Sequence, residues 1–138
     1  MYLLRTTAFL LSLSLLFAQE EITIEDLYQR DGLFYAPGQD STFSGNVIGN
    51  WENGIKKEKG YYKNGKFDRI TTSWYDNGQK SFEGTYKDGK RDGLWTSWYE
   101  NGEKKSEGAF TGGDLFNRNI GRWVFYDKKG RITSEKNY

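Results

Sequence analysis

The chain has no cysteine and no histidine, and it has one proline and one methionine in 138 residues. Without Cys there is no disulfide framework, no thiolate metal site and no cysteine nucleophile. Without His there is no zinc site of the His-ligand kind and no Ser-His-Asp triad, because the proton acceptor is missing. An excess of one charge is lacking too: 20 Lys and Arg face 19 Asp and Glu, a formal net charge of +1. That balance argues against nucleic acid, whose binding needs an excess of cations to displace counterions. What the chain has in quantity is 17 Gly and a large aromatic set of 5 Trp, 10 Tyr and 9 Phe. The length suits one domain with a short appendage.

Met1 to Ala18 read MYLLRTTAFLLSLSLLFA. One cation, Arg5, precedes an apolar stretch from Ala8 to Phe17, and a small residue, Ala18, ends it, which is the layout of a secretory signal peptide. The run is shorter than the ~20 apolar residues that a membrane span needs. Leu16 stands where a small residue is preferred, yet Ala18 is the small residue that closes the run, so the cut is placed between Ala18 and Gln19. A buried N-terminal helix is the alternative. The expectation is a secreted or periplasmic protein with no integral membrane span in its mature part. That part keeps 19 cations against 19 anions and has only 13 Leu, Ile and Val. Few aliphatics with many rings and no net charge predict a thin core of packed aromatics rather than disorder.

A 24-residue period organises the rest. Gly54, Gly78 and Gly102 recur at that step, as do Gly60, Gly84 and Gly108, and Gly65, Gly89 and Gly113. Trp51-Glu-Asn-Gly54, Tyr75-Asp-Asn-Gly78 and Tyr99-Glu-Asn-Gly102 are one turn written three times, and Tyr126-Asp-Lys-Lys-Gly130 reads as a fourth copy with one residue added. Eight residues beyond each turn glycine stands an aromatic: Tyr62, Tyr86, Phe110 and Tyr138. A fixed period across several columns is the signature of a repeat architecture. The surplus in the last unit lies in the segment from Gly113 to Gly121.

Each unit reads as a β-hairpin. Asn77-Gly78 and Asn101-Gly102 are the pair favoured in two-residue turns, where both central residues take positive φ. The flanks, Ile70 to Tyr75 and Leu94 to Tyr99, are rich in β-branched and aromatic residues. On the return strand, Lys80, Phe82, Gly84 and Tyr86 share one face by the two-residue period. Gly84, between two rings, leaves bare backbone for a neighbouring aromatic to cover. Lys87-Asp88-Gly89-Lys90 turns the chain into the next unit, Pro37-Gly38 marks a turn before the array, and Glu21 to Glu25 alternates like a strand or an extended arm. The expectation is an all-β chain with a signal peptide over 1–18, a lead segment over 19–42 and a hairpin array over 43–138.

The string from Trp98 to Gly108, followed by an aromatic, a Gly turn and Gly-x-Trp, resembles the bacterial variant of the MORN repeat. The lead-in from Asp26 to Tyr35 and Phe43-Ser-Gly45 are similar to the opening of such proteins, so the resemblance covers residues 26–138. It implies an elongated, single-layer antiparallel sheet of hairpins that binds or scaffolds without catalysis or cofactor. Many bacterial members carry the label of a YwqK-type antitoxin. Three departures stand out: Arg69 in the column of Gly45 and Gly93, Lys136 in the column of Gly84 and Gly108, and the long loop.

The candidate binding surface is aromatic. Trp74, Trp98 and Phe125 form one column and Tyr75, Tyr99 and Tyr126 the next, so neighbouring rings lie on opposite faces. The Trp column reads as core, while the Tyr column divides between core and an exposed platform, since a single-layer sheet cannot hide both faces. Glu83, Glu107 and Glu135 also recur, but one carboxylate per unit beside Lys is the pattern of a solvated strand face with cross-strand pairs. The Lys clusters are interleaved with acids and read as solubility and edge protection. The partner expected is another protein, with a polysaccharide as the alternative, and no catalytic, metal or cofactor residue is assigned.

Overall fold

A computed structural model describes residues 22–112 and 118–138. The lead segment contributes β1 (Ile22–Thr23), a 3₁₀ turn (Ile24–Asp26), β2 (Tyr28–Arg30) and β3 (Leu33–Tyr35). The array follows as β4 (Gly45–Asn50), β5 (Lys56–Lys63), β6 (Lys66–Trp74), β7 (Lys80–Lys87), β8 (Lys90–Trp98), β9 (Lys104–Phe110), β10 (Asn119–Tyr126) and β11 (Ile132–Asn137). Among the described residues, β4 to β11 form an antiparallel meander, with β1 added in parallel to the edge of β4. The expected all-β hairpin sheet is present, and Ile22–Thr23 is the strand expected of the arm, cut short by the 3₁₀ turn.

Two kinds of turn alternate, and the sequence-based assignment of one needs correction. Two-residue turns with both φ positive occur at Asp31-Gly32, Asn64-Gly65 and Asp88-Gly89. They directly join β2 to β3, β5 to β6 and β7 to β8. Asn77-Gly78 is not of this type, because Asn77 keeps a negative φ while Gly78 takes +83°. Here the Gly78 N–H closes on the Tyr75 carbonyl at 3.0 Å and the Tyr75 N–H on the Gln79 carbonyl at 2.8 Å. This is the longer hairpin loop whose last residue must be left-handed, the position that favours glycine. A register shift follows between Ser73 and Trp74. It carries Lys80 off the face it was expected to share with Phe82, Gly84 and Tyr86, and onto the face of Glu83, with which it pairs at 2.7 Å.

The packed rings of the core lie on one face of the sheet, and Val124, between Trp123 and Phe125, is buried on the other. Among the described residues, buried hydrophobic side chains are Leu27, Tyr35, Val47, Tyr62, Trp95, Phe110, Trp123 and Val124. Rings supply most of this set, as the shortage of aliphatics demands. They form a spine running from Phe34 to Tyr62 (centroids 5.0 Å apart), Phe67 (4.3 Å), Tyr86 (5.1 Å), Trp95 (5.1 Å), Phe110 (5.9 Å) and Trp123 (5.1 Å). Offset and edge-to-face pairs of this kind contribute ~0.5–1.5 kcal/mol each beyond area burial.

Bare glycines make the spine fit. A Cβ at Gly84 would overlap the indole of Trp95, and one at Gly108 the indole of Trp123. Each indole also donates to the carbonyl after its glycine, Trp95 Nε1 to Thr85 and Trp123 Nε1 to Ala109, both at 3.0 Å. The expected covering of Gly84 by a neighbouring aromatic is therefore met. The expected core column is not: Trp74 and Trp98 are only half-buried on the opposite face, and Trp95 and Trp123 take the core. In the first unit Thr71 faces Gly84 across the strand pair, and Phe67 closes over Gly60 with a ring carbon 3.2 Å from a Cβ built there.

Among the described residues, the lead hairpin β2–β3 is a second layer over the first unit only. The Phe34 N–H donates to the Gly65 carbonyl at 2.9 Å, and Leu27 and Phe34 pack with Val47 and Tyr62. Pro37-Gly38 forms the expected turn, closed by Gln39 N–H to the Ala36 carbonyl at 3.1 Å.

Candidate functional site

The aromatic turn residues are tied to the next unit. Tyr75 Oη donates to the Trp98 carbonyl at 2.8 Å and Tyr99 Oη to the Tyr126 carbonyl at 2.9 Å. Trp51 occupies the same place and donates through Nε1 to the Trp74 carbonyl at 3.0 Å. Beside them runs a second row: Asn53 Nδ2 to the Asp76 carbonyl (2.9 Å), Asn77 Nδ2 to the Glu100 carbonyl (2.8 Å) and Asn101 Nδ2 to the Lys128 carbonyl (2.8 Å). Each Asn closes its own turn as well, Asn77 Oδ1 accepting from the Gln79 N–H at 2.9 Å. A single Tyr-x-Asn-Gly string thus shapes one turn and fastens it to its neighbour.

The ladder fixes the register of the last unit. Tyr99 and Asn101 reach Tyr126 and Lys128, so Tyr126 stands in the column of Trp74 and Trp98, and Asp127 in the column of Tyr75 and Tyr99. The fourth turn therefore runs from Asp127 to Gly130 with no added residue, its Gly130 N–H closing on the Asp127 carbonyl at 3.0 Å. The grouping of Tyr126 with Tyr75 and Tyr99, and of Phe125 with Trp74 and Trp98, is corrected accordingly, since Phe125 pairs with Ser106 as Ser97 does. Asp127 carries no donor onward. It accepts from the N–H groups of Lys129 (2.9 Å) and Arg131 (3.0 Å) and from Arg131 Nε (2.7 Å).

Lysines cover several of the candidate rings. Lys56 Nζ stands 5.6 Å from the ring centre of Trp74, Lys80 Nζ 5.5 Å from that of Trp98, and Lys105 Nζ 5.7 Å from that of Tyr99. The recurring carboxylates share this face in ion pairs: Glu83 with Lys80 and Glu107 with Lys104, both at 2.7 Å, and Glu135 with Arg122 at 2.6 Å. The Lys80 hydrogen bond holds Glu83 below the usual carboxylate range, and Lys104 together with the Tyr126 hydroxyl does the same for Glu107. A general acid at neutral pH needs the opposite shift.

The remaining feature is a groove of about 330 Å³ on the core face of the second half of the sheet. Its walls are the rings of Phe82, Trp95, Trp123 and Phe125. Its polar groups are Arg91, Asn119 and the hydroxyls of Ser97 and Ser106, which bond each other at 2.7 Å. Arg91 stacks over Trp95 (4.7 Å) and Phe110 (5.1 Å) and makes no ion pair among the described residues. Sequence reasoning passed over this groove. The available signal was the column joining Trp95 and Trp123 to the bare glycines.

A family model for the MORN repeat variant matches residues 70–88 and 91–111. Residues 70–111 carry the MORN repeat variant. The matched residues are the hairpins from β6 to β9, joined by the Tyr75 and Asn77 ladder bonds, and the ladder extends the same geometry to the units on either side. MORN repeats are interaction or binding modules without catalytic activity. No curated protein and no solved structure gives a match. No helix among the described residues is long and apolar enough to cross a membrane. The expected signal peptide over 1–18 and most of the long loop, residues 113–117, lie outside the described residues.

Proposed function

We propose that this chain is an exported, non-enzymatic module that binds another protein through its MORN sheet. The observation that carries the reading is the uneven covering of the core face. The lead hairpin closes the first unit, whereas the grooved face over β7 to β10 has no second layer among the described residues. A rigid sheet with one aromatic face left open is suited to receiving a partner. Export rests on the pattern of Met1 to Ala18. Scaffold and immunity protein are the two forms such a module would take, and the identity of the partner separates them.

A tagged pull-down from the native organism's envelope fraction, with mass spectrometry, tests the reading. One abundant stoichiometric partner supports it. Bait without partner contradicts it and turns attention to polysaccharides. Absence of bait from that fraction contradicts export.

A further inference from the structure

Asparagine followed by glycine is a sequence open to deamidation, because glycine has no side chain to hinder attack by its own nitrogen. The chain has four such pairs, at Asn53, Asn64, Asn77 and Asn101. In the reaction the glycine nitrogen attacks Asn Cγ and a five-membered succinimide closes. Ammonia leaves, carrying the proton of the attacking nitrogen. Water then opens the ring at one of its two carbonyls and leaves aspartate or isoaspartate, with one added negative charge. The step needs no oxidant and no cofactor. It does need a side-chain amide free to turn toward the backbone and a glycine nitrogen released from its hydrogen bond.

The fold grades the four pairs. In the ladder turns every reacting group is engaged: Asn77 Nδ2 with the Glu100 carbonyl, Asn77 Oδ1 with the Gln79 N–H, and the Gly78 N–H with the Tyr75 carbonyl. Asn53 and Asn101 repeat all three bonds. Asn64 is exposed, and its side-chain amide makes no hydrogen bond among the described residues. Its reacting groups carry one bond, from the Gly65 N–H to the Phe43 carbonyl at 2.7 Å. The neighbouring bonds, Asn64 N–H to Ser44 Oγ at 2.8 Å and Phe34 N–H to the Gly65 carbonyl at 2.9 Å, run to the same stretch of chain leading into β4. Release of the Gly65 nitrogen is therefore governed by the docking of that stretch.

The products differ in the same sense. A carboxylate at position 101 would set an oxygen without a proton against the Lys128 carbonyl, 2.8 Å from the atom it replaces, and would undo one rung of the ladder. At position 64 the new charge stands in a turn whose flanking Lys63 and Lys66 face each other, an arrangement that destabilises a strand pair. The second two-residue turn already has this composition, with Asp88 between the opposed Lys87 and Lys90, and Asn64 and Asp88 share a φ of +50°. We infer that Asn64 is the deamidation site of this chain, opened when the stretch from Phe34 to Ser44 lifts, and that the ladder keeps Asn53, Asn77 and Asn101 intact.

The test incubates the whole mature chain in mildly alkaline buffer, folded and in urea, and follows the four asparagines by peptide mass spectrometry. In urea the four should convert at similar rates. In the folded chain Asn64 should convert at least about tenfold faster than the other three, the factor expected from two fewer hydrogen bonds on its reacting groups. Ser44→Ala, which removes the acceptor of the Asn64 N–H, should speed conversion at position 64 alone. Asn64→Asp should melt no lower than the parent, whereas Asn101→Asp should melt lower. A ladder asparagine converting as fast as Asn64 in the folded chain overturns the inference. So does an Asn64 that stays intact while the chain in urea converts completely, or an Asn64→Asp variant that loses as much stability as Asn101→Asp.

Discussion

The indole of Trp95 lies on the bare Cα of Gly84, donating to the carbonyl of Thr85 at 3.0 Å, so that a single methyl group at position 84 has no room. The same pairing joins Trp123 to Gly108. Gly84→Ala and Gly108→Ala should each cost about 3 kcal/mol or more, because the obstacle is a rigid ring at the centre of the spine. A Cβ at Gly78 meets only an ordinary contact, Ile55 Cγ2 at 3.8 Å, so Gly78→Ala suffers from its left-handed backbone alone, a cost of about 1–2 kcal/mol. Urea denaturation midpoints of the three variants rank the two effects.

The two tryptophans of Leu94-Trp-Thr-Ser-Trp98 should differ as much. Trp95→Ala removes a buried ring and should cost ~3–5 kcal/mol. Trp98→Ala uncovers a half-buried ring capped by Lys80 and should cost less than half as much. Equal losses would return the Trp98 column to the core.

Among the described residues, two buried hydroxyls have no hydrogen-bond partner, Tyr62 Oη and Thr71 Oγ1. Both residues are completely inaccessible, and burial pushes the Tyr62 hydroxyl pKa well up. Removing an unsatisfied polar atom while keeping the shape relieves its desolvation cost. Tyr62→Phe and Thr71→Val are therefore expected to raise stability by up to about 1 kcal/mol each. A loss in either would reveal a hydrogen bond to that hydroxyl.

Burial raises the carboxyl pKa of Glu58, with Glu25 adding to the rise and Lys57 opposing it. Its folded value thus lies above the unfolded one of about 4.3. The stability it contributes is fully present below about pH 4.3 and is lost as pH rises through the folded value. Glu58→Gln should accordingly be more stable than the parent at pH 7, with the advantage vanishing near pH 4. Glu83 and Glu107 act in the opposite sense, their contributions disappearing as pH falls through their lowered values. Urea midpoints of parent and variant at the two pH values give the sign.

Much of this fold was legible because a 24-residue period marks every turn and strand. What stayed hidden depends on register. Asn64-Gly65 and Asn77-Gly78 are the same dipeptide, yet only the first forms a two-residue turn. The number of residues between paired strands decides, and the shift at Ser73–Trp74 sets that number. The destination of the Tyr75 hydroxyl, 23 residues along the chain, follows from the same register and from nothing local. Arg69 was visible as a departure from a glycine column, but its φ of +66°, matching the +71° of Gly93, shows that the conformation persists without the glycine. The Arg69 guanidinium rests 4.1 Å from the ring centre of Tyr61, a contact glycine could not make. The groove escaped notice because Trp95 and Trp98 look alike in sequence, and only packing tells which face is closed.

The account separates residues that hold the MORN units together from those that meet the partner, and Tyr99 is where the two roles can be told apart. The most direct measurement is thermal unfolding of Tyr99→Phe alongside recovery of the envelope partner by the same variant. Loss of the Oη bond to the Tyr126 carbonyl should cost about 1 kcal/mol. That lowers Tm by roughly 3–5 °C in a chain of this size, with the partner recovered at parental stoichiometry. An unchanged Tm with the partner lost would contradict the account and return the tyrosine column to the binding surface.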